Sequence, residues 1–104
     1  MSDTMGFNQI ANALGAQARR HILLTLLDHN PVGQTETMAE IHPRKKDVRE
    51  LELIHSHLPT LDDMGYIVWD REHENIVKGP NWEEIEPVIR LLRENSDEIP
   101  ADTF

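Results

Sequence analysis

Residues 44–80, RKKDVRELELIHSHLPTLDDMGYIVWDREHENIVKGP, constrain the fold more than any other stretch of this chain. Apolar residues at Val48, Leu51, Ile54, Leu58 and Leu61 recur at steps of three and four, the spacing of one helix face. Gly65 then supplies a stop, because glycine enters the left-handed conformation that ends helices without a Cβ penalty. Tyr66-Ile67-Val68-Trp69 and Asn75-Ile76-Val77 are rich in β-branched and aromatic side chains. The polar residues Arg71, Glu72, His73 and Glu74 between them suit a hairpin loop.

The rest of the chain supplies helices around this unit. A first helix is expected over 4–14, capped by Asp3 or Thr4, with Phe7, Ile10, Ala11 and Leu14 as its stripe and Gly15 as its end. A second is expected over 16–28. Its Ala18, Ile22, Leu23, Leu26 and Leu27 cover more than one face, which predicts the most buried helix, with Arg19 and Arg20 snorkelling or ion-paired. Asn30-Pro31-Val32-Gly33 is a turn cluster. A short helix over 35–41, capped by Thr35 or Thr37 and facing Met38 and Ile41 inward, ends at His42-Pro43. Asp47 is a suitable cap for the next helix. Pro59 inside its apolar pattern predicts a kink near Ser56 within one bent helix. After the Gly79-Pro80-Asn81 turn, Asn81 and Glu84 form a capping-box pattern. Trp82, Ile85, Val88, Ile89 and Leu92 follow, and Pro87 predicts a regular helix only from about Glu86. The architecture is mainly α with a small β-hairpin wing, a winged helix-turn-helix. It forms a single domain over 1–95, with the wing at about 66–78, a dimerising C-terminal helix at about 81–95 and a flexible acidic tail over 96–104.

At 104 residues the chain is long enough for one small core. No apolar run approaches membrane length, the N-terminus has no signal-peptide pattern and there is no cysteine, so a cytoplasmic protein without disulfides or a Cys-based metal site is expected. Nineteen acids against ten bases give a net charge of −9, and only three of the bases are lysines. That balance resembles the proteins of salt-in halophiles, whose carboxylates keep a surface hydrated in molar salt. The charge is unevenly placed. Residues 44–49 hold four bases and one acid, a local +3, leaving −12 on the remainder. Helix N-termini favour acids, so bases stacked there work against the dipole and ask for another explanation than helix stability.

A basic helix start points to phosphate. At about 100° per residue, Lys45, Arg49, Leu53, Ser56 and Thr60 fall opposite the apolar stripe. Arg49 is placed to read a base edge, since guanidinium pairs bidentately with guanine, and Ser56 and Thr60 to touch bases or phosphates. Arg44, Lys45 and Lys46 would neutralise phosphates. Arg71, His73 and Lys78 are placed to touch DNA backbone or minor groove from the wing, against the adjacent Glu72 and Glu74. His55 and His57 lie two apart, which splits them around a helix instead of pairing them on a metal, so no metal ligand is assigned. Asp62 and Asp63 diverge for the same reason, and Glu83, Glu84 and Glu86 suit a helix start. With no serine elbow, phosphate-cradling glycine loop or triad, nothing asks for an enzyme or a cofactor.

Two stretches carry a family resemblance. Ala13-Leu14-Gly15 with Ala18-Arg19-Arg20-His21-Ile22-Leu23 resembles the opening of ArsR-type winged-helix regulators. His55-Ser56-His57-Leu58-Pro59-Thr60-Leu61, followed by Gly65-Tyr66-Ile67-Val68-Trp69-Asp70, resembles a subgroup found in extremely halophilic archaea. The resemblance spans roughly 7–92. It implies a winged-helix homodimer joined through its first and last helices and a role in transcription regulation. The chain departs from the metal-sensing relatives in having no cysteine and no histidine in its last helix.

The expected partners are therefore double-stranded DNA and a second copy of the chain, with no membrane. Phe7, Ile10, Trp82, Ile85, Ile89 and Leu92 exceed the needs of one small core and would form the dimer interface. The alternative is a protein-interaction module on the same scaffold, which the acidic surface and Leu53 on the reading face would suit.

Overall fold

The structure is a computed structural model that describes residues 2–33 and 56–104. Among the described residues it is an α+β arrangement of four helices and a three-stranded antiparallel sheet. The helices are α1 (Ser2–Ala13), α2 (Gln17–Asp28), α3 (Leu58–Met64) and α4 (Trp82–Glu94). The strands are β1 (Val32–Gly33), β2 (Ile67–Asp70) and β3 (Asn75–Lys78), and a 3₁₀ turn covers Ala101–Thr103. The short helix expected at 35–41 and the helix positions Val48, Leu51, Leu53, Ile54 and His55 lie outside the described residues.

The apolar stripe of α2 sets the core. Ile22, Leu23, Leu26 and Leu27 are buried, and α4 packs along α2 with Trp82, Ile85 and Ile89 inward. Leu58 and Leu61 of α3, Tyr66, Ile67 and Trp69 of the first hairpin arm and Ile76 of the second complete one cluster. Each Leu or Ile fully withdrawn from water contributes about 1.5–3 kcal/mol, so this cluster is the main source of stability.

The α1–α2 junction explains the paired arginines. The last carbonyls of a helix lack intrahelical donors. Arg19 donates Nη2 to Asn12 O at 2.8 Å and Nε to Ala13 O at 3.2 Å. Arg20 donates Nη1 to Leu14 O at 2.5 Å. Both guanidinium groups thus close the end of α1. Neither makes an ion pair among the described contacts. Burial, and secondarily the neighbouring Arg20 charge, lower the Arg19 pKa.

Pro59 stands in the first turn of α3; the part of the expected bent helix before Ser56 lies outside the described residues. The irregularity expected near Ser56 is a wide π-type turn over Ser56 and His57, immediately before the regular helix. Gly65 ends α3 at φ 82°. Its N–H donates to Asp62 O at 3.0 Å and that of Tyr66 to Leu61 O at 3.2 Å. This pair of bonds is a Schellman closure, with buried Leu61 and Tyr66 at its two ends. Gly79 is held just as tightly: a Cβ there would lie 2.8 Å from Ile67 backbone atoms and collide with the Gly65 carbonyl.

β2 and β3 pair in the register Ile67↔Lys78, Val68↔Val77, Trp69↔Ile76 and Asp70↔Asn75. Along β2, Ile67 and Trp69 are buried while Val68 and Asp70 face out, the period-two pattern of a half-buried strand. Val32 and Gly33, read from sequence as part of a turn, instead form β1 and pair with Ile76 and Asn75. The sheet order is therefore β1-β3-β2. Two residues cannot announce a strand by periodicity; this one exists because Val32 is buried against Ile76 and because Asn30 Oδ1 accepts the Lys78 N–H at 3.2 Å.

Two expectations about α4 need correction. Its regular turns begin at Trp82 and run through Pro87. Pro87 leaves the Glu83 carbonyl without a helical donor, but both residues are exposed and water can replace the bond. The Asn81 side chain does not cap α4. Its Nδ2 donates to Met64 O at 3.0 Å, so Asn81 closes the end of α3. The segment 96–104 also does more than trail away: Arg20 Nε donates to Thr103 O at 2.6 Å and Gln17 Nε2 to Phe104 O at 3.0 Å, laying the end of the chain on α2.

Candidate nucleic-acid interface

The expected interface divides into three parts. The basic island, Arg44, Lys45, Lys46 and Arg49, lies outside the described residues. Ser56 and Thr60 flank the start of α3, Ser56 exposed and Thr60 half-buried. Arg71 and Lys78 belong to the hairpin.

The structure brings Thr60 and Arg71 together. They line one open surface groove with Pro59, Asp62 and Asp63. α3 contributes its outer face, because Pro59, Thr60, Asp62 and Asp63 all lie away from buried Leu58 and Leu61. β2 contributes Arg71 just past its end. The groove thus carries two carboxylates and one guanidinium. It favours a cationic or hydrogen-bond-donating visitor, and it repels phosphate except beside Arg71. Sequence reading passed over Asp62 and Asp63 as diverging acids; their three-residue spacing from Pro59 and Thr60 was the available signal for a shared face.

Both hairpin cations rest on aromatic rings. The Arg71 guanidinium lies 4.4 Å from the Trp69 ring centroid and Lys78 Nζ lies 5.2 Å from that of Trp82. Such contacts hold the charge near the protein surface. Lys78 is half-buried, and its main-chain N–H donates to Asn30 Oδ1.

The hairpin tip is built around Asp70. Its Oδ1 accepts the N–H groups of Glu72 at 3.1 Å and His73 at 3.2 Å, and its Oδ2 pairs with His73 Nδ1 at 2.7 Å. An aspartate folding the next residues over itself is the usual Asx turn. The His73 side-chain bond, then the backbone bond from His73, lowers the Asp70 pKa from its ordinary value of 3.8. The tip also brings ligand atoms of Asp70, Glu72 and His73 within 4.8 Å of one another, all exposed, the set among the described residues with metal-binding geometry. His57 cannot offer Nδ1 to a metal in this arrangement, since Arg19 Nη1 lies 3.2 Å from it.

Of the residues expected at a dimer interface, Trp82, Ile85 and Ile89 are 4%, 0% and 0% exposed within the single chain. They leave no surface for a partner, because α4 turns that stripe onto α2. Ile10 and Leu92 are half-buried, and Phe7 is 67% exposed. Leu91, not Leu92, is the outward leucine of α4, at 59%.

No family model matches the sequence, and no curated protein or solved structure is detectably similar to it. Among the described residues, no helix is long and apolar enough to cross a membrane.

Proposed function

We propose that this chain is a winged helix-turn-helix DNA-binding transcription regulator that works as a homodimer in concentrated salt. The observation that carries the reading is the sheet order β1-β3-β2. A short strand after α2 pairs with the far arm of a hairpin that follows directly on α3. A winged helix uses that connection to hold a helix-turn-helix against its wing, and the strongly basic residues 44–49 fall within the chain between β1 and α3. Phosphate contacts are assigned to Arg44, Lys45 and Lys46, base reading to Arg49, and flanking contacts to Ser56 and Thr60. Arg71 and Lys78 add a smaller wing contribution, limited by their seats on Trp69 and Trp82. Phe7, Ile10, Leu91 and Leu92 remain as the apolar contribution to a dimer.

Counterion release normally drives such binding, with a slope of about −0.9 per phosphate neutralised. In molar potassium that drive fades, and a Debye length of about 3 Å mutes distant carboxylates. Hydrogen bonds and shape then dominate. Selection from a random duplex library at 2–3 M potassium chloride tests the reading: an enriched motif supports it, while recovery of unselected sequence alone removes it.

The acidic groove beside Arg71 supports a second reading, in which the same scaffold docks a basic protein segment. Charge reversal at Asp62 and Asp63 separates the two: it strengthens or spares DNA binding and abolishes protein docking.

A further inference from the structure

We draw no further inference here: the strongest candidate, the exposed Asp70, Glu72 and His73 cluster at the tip of the β2–β3 hairpin, is accounted for by the hydrogen bonds that fold its own turn, and nothing else in the structure points to a ligand there.

Discussion

Arg19 donates to His57 across the front of the molecule, Nη1 to Nδ1 at 3.2 Å, while its other nitrogens hold the end of α1. A guanidinium has no acceptor, so in this contact His57 accepts through Nδ1. One side chain thus fixes α1, α2 and the turn entering α3. Replacing Arg19 with Met removes the side-chain donor to Ala13 O and to His57 Nδ1, while Asn12 O keeps the Gly15 N–H. The expected loss is about 1–2 kcal/mol in urea unfolding, the usual cost of withdrawing a donor from part-buried acceptors. Arg19→Lys recovers little, because one ammonium cannot span three separated acceptors.

Glu74 closes the hairpin at φ 54°, the left-handed region. A side chain there costs about 1–2 kcal/mol, partly offset for glycine by its greater freedom when unfolded. Glu74→Gly is therefore expected to stabilise by roughly 0.5–1 kcal/mol. Glu74→Val should lose stability, because β-branching adds to the strain. Thermal unfolding of the two variants gives opposite signs.

Two glycines should respond oppositely to one added methyl. Gly6 lies inside α1 with nothing within 4 Å of a new Cβ. Gly6→Ala is expected to stabilise by about 0.5–1 kcal/mol through helix propensity. Gly79→Ala drives Cβ into the backbone of Gly65 and Ile67, which cannot move without opening the α3–β2 corner. A loss above about 2 kcal/mol follows from this overpacking, read as a lower urea midpoint.

The carboxylates of Asp70 and Asp28 are both held below their ordinary value of 3.8. For Asp28 the chief cause is the side-chain hydrogen bond from Arg93, which ties α4 to α2. A depressed carboxylate binds fewer protons folded than unfolded. Its stabilisation is therefore present above the ordinary carboxylate pKa and is lost as pH falls through the depressed folded value. Carboxyl-carbon NMR should show both residues titrating below 3.8, and Arg93→Gln should return Asp28 alone toward its ordinary value.

Much of the frame was legible in the chain. Val48 to Leu61 could only be read as a helix face, but the α1, α2 and hairpin boundaries followed from Gly15, Gly65 and the strand-forming residues 66–69 within one or two positions. What stayed hidden depended on distant partners. Val32 becomes strand only because Ile76 is opposite it. Asn81 carries a helix-start signature yet its side chain turns back to Met64 O at the end of α3. Trp82, Ile85 and Ile89 looked surplus because stripe counting cannot tell which helix will receive them. Of the candidate interface, residues 44–49 lie outside the described residues; that Thr60 shares a groove with Arg71 became visible only once α3 and the hairpin were side by side, although the spacing of Asp62 and Asp63 already put them on the face of Pro59 and Thr60.

The central claim is that residues 44–49 bind duplex DNA through specific contacts that survive molar salt. Fluorescence anisotropy of a selected duplex, measured from about 0.2 to 3 M potassium chloride, tests it most directly, because each phosphate neutralised adds about −0.9 to the slope of log affinity on log salt. The account predicts a shallow or rising profile, and its loss in the Lys45→Glu, Arg49→Glu double variant with the fold intact. A steep fall of several decades, or equal binding by the variant, contradicts it.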